Sequence, residues 1–261
     1  MKEFFWKHKI IFPFANSSFE THFYLSSISC EFLKIWKENH LHPLEFLEYQ
    51  NLINKRRKHD YLLRNHCAKQ VILCCLKKTL GYAKHLNIAK GINSQALLTN
   101  DRIYHSHLQV SITHSDVLGF AVAFEGLYPL GIDIEKINSQ KSEFIESLMT
   151  FSEKRLMRAL IHAKELSAII LWTAKEALCK AVLGGVRVFS EITEVGGLFF
   201  NQSYTEILFK HFPGYRAYSF LFANYIITIA FPYTKRFKVD LHRIWEKLEK
   251  DLQSSIQGSD F

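Results

Sequence analysis

Proline and glycine are scarce in this chain, at 5 and 11 of 261 residues, so elements are expected to be long and linkers short. Cysteine is scarce too. Cys30, Cys67, Cys74, Cys75 and Cys179 are an odd number and form no C-x-x-C pair. That argues against a disulfide framework or a zinc ribbon and for buried thiols in a reducing compartment. No apolar run approaches the roughly 18 residues that span a bilayer. The longest, Tyr218 to Phe231, is interrupted by Asn224 and reads as a buried strand pair or long strand. The start, Met1 to Phe14, is aromatic and basic without a small-residue cleavage site, so no secretory signal and a cytoplasmic location are expected. Acidic residues are the minority, 25 against 33 Lys and Arg, for a net charge of +8. This suits an anionic partner: nucleic acid, a phosphorylated small molecule, an acidic protein or a membrane surface.

What is present is a globular mixture, 48% hydrophobic and 22% charged, which excludes a disordered tail, a collagen and a coiled coil. Residues from about Pro43 to Leu80 read as helical, with Lys55 to Lys58 as a basic cluster and Gly81 as a stop. Val110, Ile112 and Leu118 to Phe124 read as strands around a polar turn, Thr113 to Asp116. Leu130 to Glu135 alternates with a period of two. Helices follow over Phe144 to Met149, Lys154 to His162 and about Lys164 to Leu183, the last ended by Gly184 and Gly185. Short strands continue to Pro232, and a charged amphipathic helix covers about Lys235 to Gln253. The expected class is α+β, helix-then-strand in each of two halves, 1–127 and 128–261, with a seam near Glu125 to Leu130.

Asp133 and Glu135 are the sharpest chemical signal. In a strand, i and i+2 share a face, so two carboxylates project together while Ile132 and Ile134 point the other way, into a core. Two like charges that close favour a divalent cation, and oxygen ligands suit Mg²⁺. Two ordinary acids on a solvated edge fit the spacing as well. On a helix, Trp172, Glu176 and Lys180 fall at i, i+4 and i+8 with Lys175 beside them, and Glu176 with Lys180 also fits a plain surface pair. His114, flanked by Thr113 and Ser115 at a strand end, suits a phosphate or an ordinary surface. The run at 55–58, with Arg64 and Lys69 downstream, suits an anion or a solvated helix face.

Taken together, Thr113-His114-Ser115, Gly131 to Glu135, and Trp172-x-x-Lys175-Glu176-Ala177-x-x-Lys180 stand in the order and separations of three signature motifs. The chain resembles the 4′-phosphopantetheinyl transferases of the Sfp type over roughly residues 45–232. Tyr61 to Gln70 also resembles that family's N-terminal helix. Two departures stand out. Many members have Gly-Arg where this chain has Arg64-Asn65, and a Gly-x-Pro where Gly91 to Asp101 has no proline.

The resemblance implies a pseudo-dimer of two similar α+β halves with the active site in the cleft between them. It implies transfer of the 4′-phosphopantetheine moiety of coenzyme A to a serine of an acyl or peptidyl carrier protein, with Mg²⁺, releasing 3′,5′-ADP. Asp133, Glu135 and Glu176 would hold the metal. Glu176, directly or through a water, would take the serine proton, and Lys180 would neutralise phosphate. Arg57, Arg64, Thr113, His114 and Lys175 would contact coenzyme A. A monomer is expected, with an acidic carrier as partner and neither nucleic acid nor membrane. Two other readings are a non-catalytic coenzyme A or carrier-binding protein of the same fold, and a Mg²⁺-dependent nucleic-acid protein. The last needs basic surface interleaved with stacking aromatics, whereas the aromatics here fall in apolar strand patterns.

Overall fold

A computed structural model describes residues 3–14, 17–93, 95–99, 108–126, 129–158, 164–182, 184, 191–233, 246–247 and 250. The chain divides into two compact units, Met1–Leu127 with Glu246–Phe261, and Tyr128–Trp245. Each is mixed α+β.

The first unit opens on strands, not on a helix. β1 (Phe4–Phe14) and β2 (Ser17–Ser27) pair antiparallel along their whole length. In β1, Phe4, Trp6 and Ile10 are buried while Phe5, Lys7, Lys9 and Ile11 are exposed. This period of two lies in the aromatic, basic start of the sequence, where the expectation saw composition and overlooked alternation. β6 (Leu118–Glu125) and β5 (Leu108–Ser115) complete an antiparallel sheet in the order β1-β2-β6-β5. A short ribbon of β3 (Asn87–Lys90) and β4 (Ala96–Thr99) stands apart from it.

The helical stretch expected from Pro43 to Leu80 is two helices that follow α1 (Cys30–His40). α2 (Pro43–Asn51) ends before Asn54, whose side chain accepts from the amides of Arg56 and Arg57 and starts α3 (Lys55–Leu76). Such a cap satisfies amides that have no partner within the helix. α3 stops before Gly81, because Lys77 adopts φ 51 and the Lys78 amide donates to the Leu73 carbonyl.

Lys69 is not on a solvated face. It is fully buried, ion-paired with Glu45 at 2.6 Å, and donates to the carbonyls of His40, Ala83 and Leu86. One ammonium thus ties α3 to α1, α2 and the segment 80–86. Burial pushes its pKa down, and Glu45 opposes that shift.

The second unit also opens on a strand, so helix-then-strand order holds in neither half. β7 (Gly131–Lys136) is the edge of a five-stranded antiparallel sheet, order β7-β11-β10-β9-β8. The others are β8 (Val195–Phe200), β9 (Thr205–Phe209), β10 (Tyr215–Phe222) and β11 (Tyr225–Pro232). The apolar run around Asn224 is the β10–β11 hairpin, turning through Ala223 at φ 51. α4 (Ser139–Leu148), α5 (Phe151–Arg158) and α6 (Lys164–Val182) follow β7. α6 packs on the sheet around Ile145, Ile169, Ala174, Leu178, Ile226 and Ala230. Gly184 has φ 58 just past its end. Gly185, residues 159–162 and most of the helix expected over 235–253 lie outside the described residues.

Candidate active site

A missing side chain positions the acidic strand. A Cβ on Gly131 would stand 1.8 Å from the Ala177 carbonyl oxygen and 2.7 Å from the Ala181 amide nitrogen. Only glycine admits α6 this close to β7. Alternation then puts Asp133 and Glu135 on the same face as Gly131, toward α6. The register agrees: Asp133 lies opposite Thr228, and the Thr228 hydroxyl is 2.7 Å from that of Thr173 on α6. The carboxylates therefore share the face of the helix-packed core. Ile132 and Ile134, both fully buried, lie on the other face.

Asp133 is no solvated edge acid. It is 5% exposed, and the Lys180 ammonium donates to its Oδ1 at 2.7 Å and to the Ile132 carbonyl at 2.9 Å. Glu135 is ion-paired with Lys141 of α4. On α6, Thr173, Glu176, Ala177, Lys180 and Ala181 recur at helical spacing as the stripe facing β7. Glu176 is buried within that stripe. The i, i+4 surface pair of Glu176 with Lys180 does not describe this helix. From Ser167 to Cys179 every residue of α6 is buried, and Lys180 reaches across to the strand instead.

Lys175 points elsewhere. Its ammonium is fully buried between both carboxylate oxygens of Glu153, at 2.9 and 3.0 Å. Glu153 also accepts from the Val195 amide and, with Thr150, forms a reciprocal cap at the start of α5. Thr150-x-x-Glu153 is legible as a capping box in the sequence, although its link to Lys175 is not. The pair joins α5, α6 and β8.

In the first unit, Gly119 does for α3 what Gly131 does for α6. A Cβ there would stand 2.6 Å from the Cys67 sulfur and 2.8 Å from Leu63 Cγ. Gly119 pairs with His114 across β5 and β6, so α3 crosses the sheet beside the histidine. His114 Nε2 consequently lies 3.5 Å from Asp60, which is also 3.7 Å from His59 Nδ1. Thr113 and Ser111 are buried next to it. Sequence reasoning passed over Asp60, which stands in the second turn of α3.

Lys55, Arg56 and Arg57 are exposed in the first turn of α3. Cations there oppose the helix dipole, at about 0.3–1 kcal/mol each, while the dipole favours an anion. Position 65 is interior: Asn65 is 6% exposed and donates to the Tyr61 carbonyl. An arginine would be forced into the core at 65, whereas Arg64 is half-buried. Burial lowers the Arg64 pKa, and Tyr61 and Asp60 counter that. Arginine remains charged regardless.

The donor chemistry of Asp133, Glu135 and Glu176 fits a hard divalent cation: three carboxylates, two on one strand face and one on the helix stripe opposite. They do not form a ready-made ligand group, because no three metal-binding side chains converge among the described residues. Lys180 and Lys141 neutralise two of the acids in their place. Among the described residues no helix is long and apolar enough to cross a membrane.

Residues 129–230, from just before β7 into β11, match the family described as the 4′-phosphopantetheinyl transferase superfamily. The matched segment holds Asp133, Glu135, Lys175, Glu176 and Lys180. No curated protein matches the chain.

Proposed function

We propose that this chain, which carries the superfamily's segment over 129–230, transfers the 4′-phosphopantetheine moiety of coenzyme A to a serine hydroxyl of an acyl or peptidyl carrier protein. The observation that carries the reading is the 2.7 Å contact between Lys180 and Asp133. It joins the acidic strand and the lysine helix, two signals far apart in sequence, into one charged site.

In this reading the serine oxygen forms a bond to the phosphorus that bears the pantetheine arm. The bond from that phosphorus to the bridging oxygen breaks, and 3′,5′-ADP leaves with that oxygen. Glu176, on the stripe facing β7, receives the serine proton directly or through a water. Lys180 has three N–H donors and uses two on Asp133 and Ile132, which leaves a third for a phosphate oxygen. Asp133, Glu135 and Glu176 would hold Mg²⁺, which when bound neutralises pyrophosphate charge. Arg57, Arg64, Thr113 and His114 bind the nucleotide and phosphates, with Asp60 holding the imidazole. Lys175 is assigned to the Glu153 pair, not to coenzyme A. In this reading the protein acts as a monomer in the cytoplasm, where coenzyme A and apo-carriers meet.

The pairing of Asp133 and Glu135 with lysines favours one rival, a protein of this fold that binds coenzyme A or a carrier without transfer. Intact mass spectrometry of apo-carrier proteins incubated with the chain, coenzyme A and Mg²⁺ separates the two. A gain of roughly 340 Da, abolished by EDTA, supports transfer by metal-assisted phosphoryl chemistry. Coenzyme A binding with no mass gain on any carrier supports the rival.

A further inference from the structure

A groove of about 940 Å³ opens in the first unit beside β1, β2, the start of α1 and the second half of α3. It is separate from the nucleotide residues proposed above. Arg64 and His66 are two positions apart on α3 but about 200° apart around its axis, so their side chains leave the helix on opposite sides. The groove follows the helix from His66 through Gln70 and Cys74 to Lys77, about 16 Å.

Its chemistry is divided. Tyr24, Ile28, Phe32, Leu73 and Leu80 make apolar walls, and Lys7, Lys77 and Lys78 stand at its openings. The acid at the rim, Glu3, is engaged by the Ser29 amide at 2.8 Å. At the floor is His66, 2% exposed, whose ring is held among Tyr24, Phe32 and Trp36 with centroids 5.6, 5.8 and 5.1 Å away. Its Nδ1 has no hydrogen-bond partner. A buried polar atom left so is unfavourable, and a ligand can satisfy it. Lys7 sits on the same tyrosine, 5.4 Å from the Tyr24 centroid, and donates to Gln70 at 3.0 Å. Burial pushes the imidazole down to about 3, so it meets a ligand in the neutral form. Its ring can then donate one N–H without adding charge.

We propose that this groove binds a free fatty acid, its carboxylate on Lys7 and His66 beside Tyr24 and its chain along Ile28, Leu73, Cys74 and Leu80. An apolar trough of this size with a few convergent polar groups is the general form of a small-molecule site. Its cationic openings select an anionic head over a neutral one. The proposal is independent of the transferase reading and survives its failure.

The test is calorimetric titration of the full chain with octanoate, decanoate, dodecanoate and dodecanol. Affinity is expected to rise about tenfold for each two carbons added. Dodecanol is expected to bind at least about tenfold more weakly than dodecanoate, for want of the charge-assisted contact. Lys7→Glu, at an exposed position, should cost dodecanoate at least about tenfold without lowering the melting temperature. Cys74→Trp should block the groove. If that variant does not fold, protection of Cys74 from a maleimide by dodecanoate, read by peptide mass, replaces it. No heat from dodecanoate at millimolar concentration overturns the proposal. So does unchanged affinity in Lys7→Glu together with an unprotected Cys74. Binding to phosphatidylglycerol vesicles but not to monomeric dodecanoate overturns it in favour of a membrane surface.

Discussion

The Lys180 ammonium lies 2.7 Å from an Asp133 carboxylate oxygen, 47 residues away in sequence. The edge strand supplies the acid and the helix packed on it supplies the cation. Asp133→Asn is expected to lower transfer by at least about a hundredfold, the scale of losing one preorganised charged group. Lys180→Ala should reduce kcat more than it reduces coenzyme A affinity. A lower melting temperature with unchanged kcat would make the pair structural alone.

Gly131→Ala forces a methyl onto the Ala177 carbonyl and should destabilise the chain by about 3 kcal/mol, with loss of transfer as α6 is displaced. Gly214→Ala, where nothing lies within 4 Å, should stay within about 0.5 kcal/mol. Urea denaturation of both checks the claim, and equal stabilities would refute the close approach.

Lys175→Met should cost about 3–5 kcal/mol, because it strands a fully buried Glu153 carboxylate. The double variant Glu153→Leu with Lys175→Met should recover much of that. Any folded form should bind coenzyme A as the parent does. A selective loss of coenzyme A affinity in the double variant would return Lys175 to the ligand.

His66 makes stability depend on acid. Its folded pKa is about 3, depressed first by burial and then by Lys7 and His40. Unfolded, the imidazole takes its proton near pH 6.5. The unfolded state therefore binds more protons below that pH, and stability falls as pH drops from about 6.5 toward 3. His66→Phe, suited to its aromatic surroundings, should remove about 1.4 kcal/mol per pH unit of that slope between about pH 6 and 4. Parallel curves for parent and variant would show that His66 does not titrate this way.

Arg64→Ala and Arg57→Ala should each weaken coenzyme A binding about tenfold, with affinity falling as salt rises. Asn65→Arg should instead lower the melting temperature, since position 65 is interior. A folded Asn65→Arg with tighter coenzyme A binding would show the guanidinium reaching the nucleotide from 65.

Much of the candidate site was legible locally. Asp133 and Glu135 declare their common face by spacing, because strand alternation is a property of the backbone. The Asn224 interruption left the Tyr218 to Phe231 run as a strand pair or one long strand, and the fold makes it the pair. The N-terminal hairpin carried the alternating signal as well, in Phe4, Trp6 and Ile10, but its lysines and aromatics read as composition. Where helices end was less legible. Asn54 and Lys77 terminate α3 through individual hydrogen bonds, and Gly81, the stronger sequence signal, lies beyond them.

The amino-acid sequence determined by itself which residues bear chemistry and which of them share a strand or helix face, since those follow from repeats of 2.0 and 3.6 residues. Tertiary structure alone decided which charges meet. Lys69, Lys175 and Lys180 are each a lysine on a helix, and periodicity does not name the acid that each one meets. One is sealed on Glu45, one on Glu153, and one stands partly exposed beside Asp133. The difference comes from how closely each helix lies on its sheet and which carboxylate the packing brings within reach. Burial makes an unpaired charge too costly, so every buried lysine must be met by an acid from elsewhere in the chain.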